Sequence, residues 1–406
     1  MHQNWKRNLW IIWVAQVLSL GGFNFGLPFL PYFIQDLGVT DSDQLKLWTG
    51  IISSAPALTM AVMAPIWGFI ADRYGRKIML LRAMLFGTVI LTALSFVTSV
   101  EQVIILRLLQ GLLTGTMTAA ATLVSVGTPK EKLSYALGVL ASSNFIGISI
   151  GPLFGGLAAE WLGYRMSFVI GAAILAVGFF LVLIAVQELK APEEDNKEEI
   201  KERESGNRNH RNSIFTFTII GSLAMILILR FSRVLPIPFI PLYVQDLLGK
   251  ISGAASITGL ISFARGGVTA LASITIVRWG DKIERMKIVV LLLALATIVS
   301  IPVSFVQSIF GFSVFFVLAT FFMGGIEPLI QSEIVSAVPS DKRGLIFGVQ
   351  TTVGNMGWFA APMIGSLISI NYGIPAVFFS MLIFLAVATL IAFIFLILLR
   401  NKRTEG

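Results

Sequence analysis

The chain has 406 residues, of which 56% are hydrophobic and 13% charged, and its formal net charge is +8. A soluble domain carries about 25% charged residues, so this composition excludes a soluble protein and indicates a chain solvated mostly by lipid. Cysteine is absent, and the two histidines, His2 and His210, lie in polar segments. These facts exclude a disulfide framework and disfavour a zinc site or a histidine base within the membrane.

Twelve apolar stretches follow one another along the chain. Each has about the 20 residues that a helix needs to cross the hydrocarbon layer, whereas a membrane β-barrel would show shorter segments of alternating polarity. The first stretch is too long for the core of a signal peptide, so we expect it to be retained as a helix. The predicted spans cover residues 9–34, 47–70, 78–97, 102–124, 134–158, 166–187, 214–243, 253–277, 287–306, 310–336, 345–369 and 374–399.

A polar segment separates the first six spans from the last six. Residues 188–212 are dense in Glu, Lys, Arg and Asn, which predicts a flexible linker between a first bundle, 1–187, and a second, 213–406. Most Lys and Arg residues, Arg82 among them, fall in this linker, near the termini and in the segments on the same side, while the outer loops hold only Lys46, Arg165 and Lys250. Because Lys and Arg accumulate on the inner side, we predict a cell-membrane protein with a cytoplasmic linker and both termini in the cytoplasm.

The two halves repeat in sequence at an offset of 210 residues. Pro28-Phe-Leu-Pro31 and the following Gln35-Asp36 match Pro238-Phe-Ile-Pro241 and Gln245-Asp246. At the same offset, Gly147, Pro152 and Gly155 match Gly357, Pro362 and Gly365. The predicted fold is therefore an all-α membrane protein of twelve helices in two pseudo-symmetric six-helix bundles. Two similar bundles can rock about a site between them, which suits alternating access.

Charged residues inside the spans are the strongest functional candidates, because burying a charge in lipid costs several kcal/mol unless it is paired or lines water. Glu327 in span ten shares a helical stripe with Gln331 and is the most deeply placed carboxylate, so we predict that it binds the coupling proton. For each arginine, a static ion pair between helices is the alternative. The predicted substrate cavity contains Asn24, Arg107, Thr114, Arg230, Arg233, Arg265, Glu327 and Gln331.

Three motifs carry a resemblance to a known family. The loop Gly68-Phe-Ile-Ala-Asp72-Arg73-Tyr-Gly75-Arg76-Lys77 resembles the signature loop of the Major Facilitator Superfamily, and Leu106–Gly111 is similar to its second motif. The stripe Gly147, Gly151 and Gly155, together with Pro152, resembles the span-five motif of proton-driven antiporters. Glycines four residues apart also allow close helix packing, and packing alone is the alternative for this stripe.

The resemblance implies a twelve-span drug/proton antiporter of the multidrug efflux type, and it implies roles for single residues. Asp72 would pair with the second bundle near the start of span eleven and latch the inner gate, with Gly68, Arg73, Gly75 and Arg76 completing the loop. Arg107 would tune or relay proton movement. One departure is that span one carries Gln16, Ser19 and Asn24 in place of an acidic residue.

The expected function is proton-coupled efflux of small amphiphilic molecules by a monomer in the lipid bilayer. The excess of intramembrane arginine favours a second possibility, an exporter of an anionic or zwitterionic metabolite such as a carboxylate siderophore, or a lysolipid flippase. A receptor or scaffold is less favoured, because it does not require two matched bundles. No Gly-x-x-x-x-Gly-Lys-Ser/Thr loop is present, which excludes a nucleotide-driven pump. We expect no enzymatic activity, cofactor, metal or nucleic-acid partner.

Overall fold

The computed structural model describes residues 5–129, 132–188, 217–276, 283–337 and 343–404. In the first half the helices are α1 (Trp5–Gly26), α2 (Leu30–Asp36), α3 (Ser42–Tyr74), α4 (Arg76–Leu94), α5 (Val100–Leu113), α6 (Thr116–Gly127), α7 (Leu133–Leu162) and α8 (Tyr164–Ala185). In the second half they are α9 (Phe217–Val234), α10 (Ile240–Leu248), α11 (Ala254–Thr275), α12 (Arg285–Val303), α13 (Ile309–Gly324), α14 (Ile326–Ala337), α15 (Arg343–Tyr372) and α16 (Ile374–Thr404).

The twelve predicted spans correspond to these helices. Eleven segments within the described residues are long and apolar enough to cross a membrane, and the predicted span 345–369 corresponds to the 30-residue α15. The all-α membrane fold is thereby confirmed. The predicted linker 188–212 lies outside the described residues except for its first residue, so the division of the chain at 188 and 212 stays a prediction.

Spans four and ten are not the continuous helices that their hydropathy predicts. Span four breaks between α5 and α6 at Gly115, whose φ is +116°, a value that only glycine adopts readily. Span ten breaks between α13 and α14 at Gly325, 210 residues later. Spans one and seven are also interrupted, because the repeated prolines form short 3₁₀ turns at Leu27–Phe29 and Ile237–Phe239. The structure therefore repeats its irregularities at the offset of the sequence repeat.

Small residues bring the two halves together along two helix pairs, α7 with α11 and α3 with α15. A Cβ atom on Gly156 would lie 2.5 Å from Ala255 O, and a Cβ atom on Gly50 would lie 2.5 Å from Ser366 Cβ. Side chains of any size at these glycines would push the helices apart. Glycine is therefore needed for the two halves to approach at these points.

Hydrogen bonds close the interface at the end remote from the chain termini, which we call the sealed end. Tyr32 Oη donates to Pro241 O at 2.6 Å, and the Gln35 and Gln245 amides exchange two hydrogen bonds at 2.9 and 3.0 Å. Gly253 N donates to the Glu160 carboxylate at 2.8 Å. The repeated Gln therefore meets its own copy across the pseudo-twofold axis, so the repeat itself forms part of the closure.

Candidate functional site

A cavity of about 280 Å³ lies between the two halves, below the sealed end. Its walls include four prolines of the repeated motif: Pro28 and Pro238 lie in the 3₁₀ turns, and Pro31 and Pro241 lie at the starts of α2 and α10. A 3₁₀ turn leaves backbone groups exposed that a continuous helix would satisfy, and irregular backbone is tolerated at membrane depth where it lines a cavity. The repeated motif thus forms part of the cavity wall in both halves.

Two arginines face this cavity. Arg107 Nε donates to Ile52 O at 3.1 Å, and Arg107 Nη1 donates to the Gln110 side chain. Arg265 comes from α11 on the opposite side. The described lining residues include both arginines and no Asp or Glu. The cavity therefore carries a positive potential that is not balanced within its own wall, and such a site favours a negatively charged group.

Glu327 lies between two arginines of α9. Arg230 donates to Glu327 Oε1 through Nε at 2.9 Å and also through Nη2. Arg233 Nη1 lies 3.6 Å from Glu327 Oε2. Charge-assisted pairs of this kind are about twice as strong as neutral hydrogen bonds. The ion pair considered as an alternative for the arginines is therefore present for Arg230 and Arg233, and it links span seven to span ten.

The break in span ten places a carboxylate where the helix dipole favours an anion. Glu327 is the second residue of α14, where the positive end of the helix dipole favours an anion. Pro328, the third residue, is tolerated because the first turn does not need its amide for an intrahelical bond. The break in span ten therefore gives Glu327 a polar environment at membrane depth.

The structure brings together only part of the predicted cavity set. Asn24, Arg107 and Arg265 line the cavity. The other predicted members are not among its lining residues: Thr114, Arg230, Arg233, Glu327 and Gln331. Arg233 is nevertheless adjacent in sequence to Val234, which does line it. The ion-paired cluster on α9 and α14 is therefore a neighbour of the cavity rather than part of its wall.

The glycine stripe of span five packs within the first half. Gly147 lies against Leu20 and Gly21 of α1, Gly151 against Gly21, and Gly155 against Phe25 O. Pro152 O lies against Gly259 of the second half, and Pro152 also lines the cavity. The stripe therefore makes the close packing that the spacing predicts, while Pro152 makes contact with the other half.

The predicted latch falls partly outside the described residues. The Asp72 side chain is not described, and neither are residues 338–342 and the side chains of 343–349, where its expected partner lies. The latch therefore stays a prediction. Gly68 has open space at its Cβ position, and Gly75 has a φ of +100° between α3 and α4. The exposed Arg73 lies over the ring of its neighbour Tyr74.

A carboxylate not expected from the sequence caps this loop. Glu188, just beyond α8, accepts hydrogen bonds from Arg76 N at 2.8 Å and Lys77 N at 2.9 Å. The first amides of a helix lack intrahelical partners. An anion there also interacts favourably with the positive end of the helix dipole. Glu188 therefore fixes the start of α4 to the end of the first half.

We expect Glu188→Ala to lower the free energy of unfolding by roughly 0.5–1 kcal/mol, because the exposed cap is lost. Glu188→Gln keeps one acceptor and should lose less. Thermal unfolding of purified protein, followed by tryptophan fluorescence, measures both. Equal melting temperatures for wild type and Glu188→Ala would show that the cap contributes nothing.

Two repeated helix bundles around a central cavity define a membrane transporter. The Major Facilitator Superfamily matches residues 12–249 and 222–406 of the chain. The chain therefore belongs to the Major Facilitator Superfamily, as the signature loop indicates, and it is a multi-pass transport protein rather than an enzyme.

Relatives and solved structures agree with this assignment. Multidrug resistance protein MdtG of Salmonella schwarzengrund is 34% identical over 384 residues, which covers 92% of each chain. MdtG of Yersinia enterocolitica is 33% identical over 376 residues, covering 92% of this chain and 89% of the relative. A bacterial homologue of the human lysosomal transporter Spinster, solved in an inward-facing and occupied conformation, has a TM-score of 0.78 with 14% identity and covers 97% of both chains. The last similarity supports the fold alone.

Proposed function

We propose that the protein exports small amphiphilic molecules from the cell in exchange for protons, by alternating access of the central cavity. The observation that carries the proposal is the ion pairing of the Glu327 carboxylate with Arg230 and Arg233. Both arginines belong to α9, which ends at Val234 in the cavity wall. The names of the MdtG relatives support a multidrug type of substrate. The predicted cytoplasmic termini would place the sealed end on the outside of the membrane. In the outward-facing state, the Asp72 loop would instead hold the inner gate closed.

Protonation of Glu327 is the proposed coupling step. A proton on the carboxylate removes the negative charge that Arg230 and Arg233 share, so both guanidinium groups lose their ion pair. Spans seven and ten would then be free to move relative to each other, because the link between α9 and α14 is broken. Release of the proton on the inner side restores the link, which ties one proton to each conformational cycle.

Transport by purified protein in liposomes tests this proposal. An imposed pH gradient should drive accumulation of an amphiphilic dye by wild type, and Glu327→Gln should abolish the gradient-driven flux. Exchange of dye at equal concentrations should persist in Glu327→Gln, because exchange does not require the carboxylate to lose a proton. Glu333→Gln, on the same helix, serves as the control. Intact gradient-driven flux in Glu327→Gln would remove Glu327 as the proton site.

The cavity arginines favour a second candidate function, export of an anionic or zwitterionic metabolite. Arg107 and Arg265 line the cavity without a carboxylate among the described lining residues. A cationic dye would meet two like charges there, whereas an anionic dye would meet two opposite charges. The same liposomes, loaded in parallel with an anionic and a cationic dye, decide between the candidates. Equal transport of both dyes would favour the broad amphiphile exporter.

A further inference from the structure

The carbonyl end of α5 is held by side chains from two other spans. Trp67 Nε1 on α3 donates to Leu112 O at 2.6 Å, and Arg82 Nη2 on α4 donates to Thr114 O at 3.3 Å. The Arg82 guanidinium lies 3.5 Å above the centre of the Trp67 ring. The last carbonyls of a helix have no intrahelical partners. A cation at this end also interacts favourably with the negative end of the helix dipole.

Hydrogen bonds link Arg82 to the cavity through two intermediate residues, Thr114 and Gln110. Thr114 accepts from Arg82 through its carbonyl oxygen and donates through Oγ1 to Gln110 O at 2.6 Å. The buried Gln110 side chain in turn accepts from Arg107 Nη1. Arg107 lies about two helical turns before the break. A change in the position of the carbonyl end of α5 would therefore be transmitted to the cavity arginine.

The energetics of Arg82 call for an explanation beyond anchoring at the membrane surface. From the sequence, Arg82 is one of the cations on the inner side, and it is expected only to help keep that end of span three in the cytoplasm. The structure places it within α4, where Nε and Nη1 are buried without a hydrogen-bond partner among the described residues. Buried unsatisfied donors are costly and few in native proteins. A residue kept at that cost, in contact with a helix break, is a candidate for a positional role.

At the matching break of the second half, the described residues place a hydroxyl group, and not a cation, on the carbonyl end of α13. At Gly325 the terminal carbonyl of α13, Gly324 O, accepts from Ser273 Oγ at 3.2 Å. The residue that matches Arg82 at the repeat offset is Leu292. The charged arrangement is therefore present in the half that carries Arg107, and the repeat alone does not require it.

We propose that Arg82 is a positioning residue: held on the Trp67 ring, it fixes the break in span four and thereby sets the place of Arg107 in the cavity. The role is transmitted through Thr114 and Gln110. It rests on the proposed function only in that the cavity is taken as the substrate site. The local charge of the cavity reports it directly, without any transport.

The absence of cysteine gives a clean background for the test. Ser53 lines the cavity on α3, and Ser53→Cys provides a single thiol there. The thiol is modified in parallel with two methanethiosulfonate reagents, one carrying an anionic sulfonate group and the other a cationic trimethylammonium group. The rate with the anionic reagent divided by the rate with the cationic reagent measures the local electrostatic potential. Loss of one positive charge nearby should lower this ratio about fivefold. We expect that reduction for Arg107→Gln, and a reduction of about threefold for Arg82→Gln.

The order of the variants separates positioning from a direct effect of the Arg82 charge. In the Arg107→Gln background, Arg82→Gln should produce no further reduction, because the residue through which it acts is absent. Arg165→Gln is the matched control: Arg165 donates to Ser95 O at 2.7 Å and lies over Phe33 near the sealed end, so the ratio should stay at the wild-type value.

Trp67→Leu removes both the ring below Arg82 and the donor to Leu112 O. It should lower the ratio in the same direction, and it keeps the proposal testable if Arg82→Gln does not fold. A wild-type ratio in folded Arg82→Gln would overturn the proposal, as would a wild-type ratio in folded Trp67→Leu where Arg82→Gln does not fold. An equal reduction by Arg82→Gln with and without Arg107 would also overturn it. Because the assay requires no proton gradient, either result leaves proton-coupled export to be judged by the liposome flux.

Discussion

The Glu327→Gln/Arg230→Gln double variant is expected to be more stable than Glu327→Gln alone. In the single variant, two arginines that are 22% and 26% exposed lose the carboxylate they share. Removing one partner of a buried ion pair is strongly destabilising; with this partial exposure we expect a loss of about 2–3 kcal/mol. The second substitution removes one of the two uncompensated charges, so part of that loss should be recovered.

Thermal unfolding in detergent measures this cycle, and the chain's own tryptophans report it. Arg230→Gln alone should lose less than Glu327→Gln, because Arg233 remains near the carboxylate. Glu333→Gln is the control on the same helix: its carboxylate lies 4.0 Å from Arg285, so we expect a change of about 0.5 kcal/mol or less. Additive losses in the double variant would mean that the pair is not coupled energetically, and the proposed release of α9 from α14 would lose its basis.

The sequence was sufficient to predict the number and type of the spans. Hydropathy measures the length of apolar chain, and that length decides whether a helix can cross the membrane. The repeat was also visible, because turn and packing residues such as Pro152 and Pro362 are needed at the same place in each half. These features depend on local chemistry, which a single sequence contains.

The breaks in spans four and ten could not be predicted from hydropathy, because a broken span and a continuous one have the same apolar composition. Gly115 and Gly325 do match at the repeat offset, and that match was the available signal. Neither the pairing of Glu327 with Arg230 nor the contact of Arg82 with Trp67 could be predicted, since both depend on how helices distant in sequence are rotated. Counting Arg82 with the surface cations missed its place at the end of α5 for the same reason.

The largest effect of packing is expected at Gly155, where α7 crosses α1. A Cβ atom at this position would overlap the Phe25 carbonyl group, with Phe25 Cα at 2.9 Å. The obstructing atoms belong to the backbone, so no side-chain rotation can make room, and the helices themselves would have to separate. Overpacking of a tight core costs about 1–3 kcal/mol and occasionally more, and we expect Gly155→Ala to reach the upper part of that range.

Gly138 provides the matched control on the same helix. An added Cβ there meets nothing within 4 Å, so Gly138→Ala should be neutral or should stabilise α7 by up to about 1 kcal/mol through helix propensity. The melting temperatures of the two variants should therefore move in opposite directions, or only that of Gly155→Ala should fall. If both variants melt as wild type does, the close approach of α7 to α1 is not needed for stability. The stripe would then have to be explained by motion between the helices rather than by packing.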